Sequence, residues 1–127
     1  MYTFHKSERL CSKKLIAQLF VKGNRGFSRF PFRFSWVTAA LPDKVPAQVL
    51  FVVSKRNYPQ ANSRNKIKRQ LRELYRLAKP ELYDFLHDKQ IALSIAYVAP
   101  TTKSYQELNE LFALSIKQIC YELSKNR

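Results

Sequence analysis

Arg64, Lys68, Arg72 and Arg76 stand four residues apart in ANSRNKIKRQLRELYR, residues 61–76, where six basic side chains accompany a single acid, Glu73. On an α-helix this spacing stacks like charges along one face, and each such pair costs roughly 0.2–0.5 kcal/mol. Folding alone has no use for that repulsion. A run of phosphates laid along the ladder would convert it into binding energy, and arginine offers a planar fork that matches phosphate oxygens in pairs. The bland alternative is a solvated helix that merely happens to be basic. Against it, at about 100° per residue Ile67, Leu71, Leu74 and Ala78 fall within roughly 60°, while Arg64, Asn65, Lys68, Arg69, Arg72 and Arg76 occupy the adjacent 140° or so. Lys55 and Arg56 extend the basic patch upstream.

The charge of the whole chain has the same bias. Of its net +14, residues 1–79 carry 18 Lys and Arg against 3 acids, a surplus of 15, and residues 80–127 carry 5 against 6. Charge gathered in one part of a molecule suggests a polyanionic partner, because each neutralised phosphate releases a condensed counterion. Nucleic acid leads, with an anionic membrane behind it. A protein-borne nuclease centre is not visible. Two-metal hydrolysis needs several carboxylates converging on ions about 4 Å apart, yet the basic portion contains only Glu8, Asp43 and Glu73, widely separated. His5 and His87 lack a Cys or His neighbour at metal-binding spacing. Cys11 and Cys120 are isolated, which fits free thiols in a reducing compartment. MYTFHKSERL has no apolar leader core, and no stretch approaches the roughly 20 apolar residues that span a bilayer, so a cytoplasmic protein is expected.

The 127 residues, 46% of them hydrophobic, suit one compact domain over residues 1–127. Ser12 can cap a short helix through Lys22, with Gly23 as its stop and Leu15, Ile16, Leu19 and Phe20 as its apolar stripe. From Ser28 to Ala40 the period becomes two: Phe30, Phe32, Phe34 and Trp36 alternate with Arg29, Pro31, Arg33 and Ser35, which predicts a strand with an edge position or a break at Pro31. LPDKVP, residues 41–46, is a turn-rich connection. AQVLFVVS, residues 47–54, reads as a buried central strand. Asn57 is a plausible cap for a helix that has Pro59 in its first turn and ends near Lys79, before Pro80. PELYDFLHDK suggests another short helical turn, and IALSIAYVAP, residues 91–100, a second buried strand. Ser104 and Glu107 form a capping box ahead of an amphipathic helix carrying Leu108, Leu111, Phe112, Ser115, Ile119 and Leu123. The order of elements predicts helices packed on a small sheet in an α/β or α+β sandwich.

VVSKR, residues 52–56, followed by ANSRNKIKRQLRELYR closely resembles the signature of the bacterial ribonuclease P protein subunit family. In that signature a Val-Ser-Lys-(Lys/Arg) strand end leads into Ala-x-x-Arg-Asn-Arg-x-Lys-Arg-x-x-Arg-Glu, which can be laid on residues 61–73. ERLCSKKLIAQLFVKG, residues 8–23, is similar to the family's Arg-Leu opening and first helix, so the likeness covers essentially the whole chain. Two positions depart from it. Lys66 stands where the family usually has the second Arg of its core, which keeps the charge and loses a bidentate donor, and Ile16 occupies a position that is often Phe.

The resemblance implies an α+β, αβββαβα sandwich with the basic helix in a left-handed βαβ crossover. The hand is unusual, since about 98% of such connections are right-handed, and it rests on the family alone. The implied activity is that of a subunit: the family joins a catalytic RNA that removes the 5′ leader of precursor tRNA by Mg²⁺-dependent hydrolysis, with Mg²⁺ bound mainly by the RNA. The implied partners are ribonuclease P RNA and precursor tRNA, with no membrane and no obligate protein partner. Arg64, Asn65, Lys66, Lys68, Arg69 and Arg72 would contact the catalytic RNA or nearby metal-bound phosphates, with Lys55 and Arg56 adding phosphate contacts. The leader would lie in a cleft between the first helix and the sheet, against Ile16, Phe20 and an aromatic of FRFSW, Phe32 or Phe34, although alternating Phe residues are more often core. Two other classes compete. A structured-RNA-binding protein of ribosomal type fits the composition equally well. A DNA-binding protein with the basic helix in a major groove fits poorly, because no helix-turn-helix pair or leucine zipper is recognisable.

Overall fold

The computed structural model describes residues 6–21, 25–41, 45–86, 89–101 and 103–125. After a 3-10 turn at Lys6–Glu8 come α1 (Lys13–Leu19), β1 (Arg25–Arg29), β2 (Phe32–Thr38), β3 (Ala47–Val53), α2 (Ala61–Leu86), β4 (Ile91–Tyr97) and α3 (Tyr105–Ser124). This is the expected αβββαβα order. The four strands form one sheet in the order β1-β2-β4-β3, antiparallel except where β3 and β4 run side by side in parallel, joined by α2.

Ser12 caps α1, its Oγ accepting the Leu15 N–H at 3.3 Å. The helix is shorter than expected because Phe20 and Val21 donate to the carbonyls three residues back, Ala17 and Gln18, which tightens and ends the last turn. Lys22 and Gly23, the anticipated end and stop, lie outside the described residues, as do residues 42–44 of the LPDKVP connection, His5 and His87. The single strand expected from Ser28 to Ala40 is two. Phe30 and the cis-linked Pro31 form a tight turn between β1 and β2, with Arg29 paired to Phe32 across it. Pro31 has no N–H to give a ladder, but its carbonyl accepts from Val98 at 2.8 Å.

The apolar run AQVLFVV is an edge strand rather than a central one. The place at the centre belongs to β4, whose IALSIAY is buried at six of seven positions. β3 reads like an interior strand because its outer edge is covered: Leu10 N–H donates to the Val49 carbonyl at 3.0 Å, and the Gln48 amide donates to the Ser7 carbonyl at 3.0 Å. Continuous apolarity reports covered faces and does not report rank within the sheet.

α2 begins at Ala61, later than expected, and runs through Pro80 to Leu86. Asn57 does not cap it; its side-chain amide donates to the Val98 carbonyl at 3.3 Å. A proline inside a helix removes one i→i−4 bond and costs about 3 kcal/mol or more. Here Leu74, Tyr75, Lys79, Leu82 and Leu86 are buried on both sides of Pro80, and that packing carries the helix past it. PELYDFL is therefore a continuation of α2. Ser104 caps α3 by accepting the Glu107 N–H at 3.3 Å, as the capping-box pattern predicts.

The sheet separates two cores. On one face Phe32, Phe34, Trp36, Leu93, Ile95 and Tyr97 pack against α2 and α3. On the other, Leu10, Leu15, Ile16 and Leu19 close over Val37, Leu50 and Ala92. The N-terminal turn is tied to α2 by a buried ion pair in which the Lys79 ammonium donates to both Glu8 oxygens at 2.8 Å.

Candidate nucleic-acid interface

α2 divides as its sequence predicts: Ile67, Leu71 and Leu74 are buried, while Asn65, Lys66 and Arg69 are exposed and Lys68 and Arg72 half-buried. The ladder itself is not uniform. Arg64 turns back, its Nη1 donating to the Tyr58 and Pro59 carbonyls at 2.9 Å each, so it fixes the chain's entry into the helix while only part of its fork faces outward. At the other end Arg76 donates to Glu73 at 3.0 Å and holds that carboxyl below its usual range. Among the described residues the ion pairs are Glu73–Arg76, Glu8–Lys79 and Glu122–Lys125, none of which neutralises Lys66, Lys68, Arg69 or Arg72. The cationic surface with unspent charge is thus the first three turns.

Lys55 and Arg56 lie exposed in the turn after β3, where the Arg56 N–H donates to Ser54 Oγ at 3.1 Å and the Tyr58 N–H to the Ser54 carbonyl at 3.0 Å. The Asn57 bond to Val98 and a Tyr58 hydroxyl bond to the Ala99 carbonyl at 3.0 Å moor this turn to the end of β4. Lys55 and Arg56 therefore sit on a fixed platform beside the start of α2.

The sheet face that carries α1 is only partly covered. Beyond the end of α1 an open cleft of about 550 Å³ remains, with Arg33, Ser35, Val52, Ser94 and Ala96 as its floor, Phe20 and Val21 on one wall, Gly26 and Ser28 on the other, and Val98 at one end. Phe20 is 61% exposed, so its ring is available to a ligand. Ile16 is not a wall of this cleft; it is half-buried in the small core beneath α1.

Phe32 and Phe34 are corrected as base platforms. Both are buried, at 0% and 1% exposure, with their rings on the opposite face of the sheet, 5.4 and 5.9 Å from the Phe112 ring. Period-two alternation sends one set of side chains to each face, and the more apolar set went under α3. The cleft receives the other set, Arg33 and Ser35, which the sequence reading passed over together with Val52, Ser94 and Ala96. A signal was present: in IALSIAY the small residues Ala92, Ser94 and Ala96 alternate with Leu93, Ile95 and Tyr97, marking a face shallow enough to leave a groove.

The two features are neighbours. Val98, at the end of the cleft, is the residue whose carbonyl holds Asn57, so the groove opens beside the basic turn and the start of α2. This arrangement can hold a phosphate backbone on the helix and unpaired bases in the groove. As a metal-binding set the side chains fit poorly. Among the described residues no three His, Cys, Asp or Glu side chains converge, and Glu8 and Glu73 are each engaged by a cation.

A sequence model of the ribonuclease P family matches residues 4–119. The chain belongs to the ribonuclease P protein family. Among its relatives, the ribonuclease P protein component of Chlorobium phaeobacteroides is 42% identical over 83 residues, 64% of this chain and 57% of that protein. That of Chlorobaculum tepidum is 34% identical over 124 residues, 91% of this chain and 79% of that protein. The fold matches the RNase P protein from Thermotoga maritima with a TM-score of 0.67 at 18% identity, over 87% of this chain and 96% of the other. Among the described residues no helix is long and apolar enough to cross a membrane.

Proposed function

We propose that this chain is the protein component of a ribonuclease P ribonucleoprotein of the cytoplasm, binding the catalytic RNA through α2 and the 5′ leader of precursor tRNA through the cleft. The observation that carries this reading is the adjacency of two unlike surfaces. One is a helix whose first turns present Asn65, Lys66, Lys68, Arg69 and Arg72, with Lys55 and Arg56 beside them; the other is a groove bordered by the exposed Phe20. Structured RNA is gripped through its phosphates, whereas a single strand offers splayed bases to aromatic rings. Stacking is worth roughly 1–3 kcal/mol per base and tolerates sequence, which suits leaders of many sequences.

In this reading the RNA partner supplies the Mg²⁺-dependent hydrolysis. The protein's own residues bind and orient. Arg64 holds the start of α2 against the Tyr58–Pro59 carbonyls, Asn65 contributes an amide where its neighbours contribute charge, and Arg33 on the cleft floor provides a cation for a leader phosphate.

Cleavage of a precursor tRNA by a bacterial ribonuclease P RNA at low Mg²⁺, with and without this protein and with a protein-only control, tests the assignment. Stimulation that requires both components supports it. A folded protein that binds the RNA without changing its cleavage would favour the ribosomal type of structured-RNA binder. Cleavage by the protein alone would overturn the division of labour. Within the cleft, Phe20→Ala is expected to weaken leader-bearing precursor by about 5-fold or more while leaving mature tRNA unaffected.

A further inference from the structure

The Val98 end of the cleft borders the β1–β2 turn. Its floor and wall reach the β1–β2 turn from three sides: Ser28 precedes the turn on β1, Arg33 follows it on β2, and Val98 donates its N–H to the Pro31 carbonyl at 2.8 Å. From this turn Phe30 projects with 58% of its surface exposed, while its neighbour Pro31 is buried. The Lys103 ammonium, from the loop between β4 and α3, lies 5.5 Å from the centre of the Phe30 ring. Exposed aromatic rings that offer a face for stacking, with cations beside them for phosphates, are the common elements of single-strand binding surfaces.

We propose that Phe30 and Lys103 form a second base platform just outside the Val98 end of the cleft, receiving a leader nucleotide beyond those held by Phe20. A base stacks on the exposed ring, and the ammonium already seated on that ring meets the adjoining phosphate. The inference rests on the leader reading of the cleft. An unpaired segment is favoured over the catalytic RNA for a geometric reason. The turn joins β1 and β2, at the opposite side of the sheet from β3 and the basic turn that follows it, with β4 between. At roughly 4.8 Å per strand, that places the platform some 10–15 Å from the basic turn, measured across the strands. Stacking also needs a base that is not already paired. Arg33, whose Nε lies 3.5 Å from Ser28 Oγ across the hairpin, lines the cleft together with Phe20 and follows the turn that carries Phe30.

The test uses holoenzyme reconstituted from a bacterial ribonuclease P RNA and this protein. Binding is measured for precursor tRNAs whose leaders are shortened stepwise from the 5′ end, and for mature tRNA. Phe30→Ala is expected to weaken the longest leader by about 5- to 10-fold, with the loss vanishing below a threshold leader length and absent for mature tRNA. Phe30→Trp should retain binding, and Lys103→Gln should give a smaller, salt-sensitive loss with the same length threshold. Phe30 is exposed, so its removal leaves the core intact.

Phe20→Ala, measured beside these variants, separates the two levels of inference. A leader-dependent loss for Phe20→Ala with none for Phe30→Ala at any length would overturn the platform and leave the cleft reading standing. No leader-dependent loss in either variant would overturn both. A loss that appears equally with mature tRNA, or as weaker association with the catalytic RNA, would reassign Phe30 to another contact and refute its role in holding the leader.

Discussion

At the scale of single residues, the buried pair Glu8–Lys79 is the most consequential feature outside the proposed RNA-binding surface. Both groups are almost fully enclosed, and Tyr75 and Tyr83 stand beside them, their hydroxyls 3.3 Å apart. Removing one member of such a pair strands the other charge and typically costs 3–5 kcal/mol, whereas replacing both with apolar groups is often neutral. Lys79→Met is therefore expected to destabilise the fold by about 3 kcal/mol or more, and Glu8→Leu combined with Lys79→Met to recover most of it; denaturant midpoints of the three proteins decide. The cysteines differ in the same way. Burial pushes the Cys120 thiol up to about 11, while Cys11 is exposed. Alkylation followed by mass spectrometry should therefore mark Cys11 first, with the Cys120 rate climbing as pH rises toward 11.

At the scale of elements, the hairpin that walls the cleft depends on a glycine. A Cβ on Gly26 would lie only 2.3 Å from the Phe34 carbonyl oxygen, so β1 can approach β2 this closely only without a side chain there. Gly26→Ala is expected to cost about 1–3 kcal/mol by forcing the strands apart, and because Gly26 borders the groove, leader affinity should fall along with the melting temperature. A normal melting temperature in that variant would show that the hairpin adjusts freely. In α2, charge and packing are separable. Lys68→Ala should weaken RNA binding and lower the slope of log affinity against log salt by about one, with thermal stability within about 0.5 kcal/mol of the parent, since the residue contributes charge on the basic face of a helix whose packing is done on its other face by Ile67 and Leu71.

At the scale of the whole molecule, the fold keeps several acids neutral. Burial raises the hydroxyls of Tyr58, Tyr75, Tyr83 and Tyr97 above their ordinary value of 10.0, and Cys120 above 9.0. In each case the unfolded chain gives up the proton first as pH rises, so it binds fewer protons than the folded protein and stability falls. That contribution is complete below pH 9, begins to decline as Cys120 titrates in the unfolded chain, and is lost most steeply above pH 10 as the tyrosines follow. Denaturant midpoints measured on either side of this window should fall on the alkaline side; an unchanged midpoint well above pH 10 would contradict the burial of these groups.

Much of this protein was legible in its residues. The apolar stripe of α2, the Ser12 and Ser104 caps and the alternation in FRFSW are local patterns, and local hydrogen bonding or side-chain periodicity is enough to express them. The family motif at residues 52–73 placed the basic surface as well. What the sequence could not decide were choices between equivalent local options. Alternation shows that β2 has two faces, yet only the docking of α3 determined that Phe32 and Phe34 lie beneath it and that Arg33 and Ser35 look into the groove. The composition of β3 suggests enclosure, but its place at the sheet edge follows from β4 pairing between β2 and β3. Pro80 argues locally for a stop, and burial of the residues on either side overrides it. Each of these outcomes was settled by contacts between residues distant in the chain, whose energies exceed the local preferences and leave no mark at the position itself.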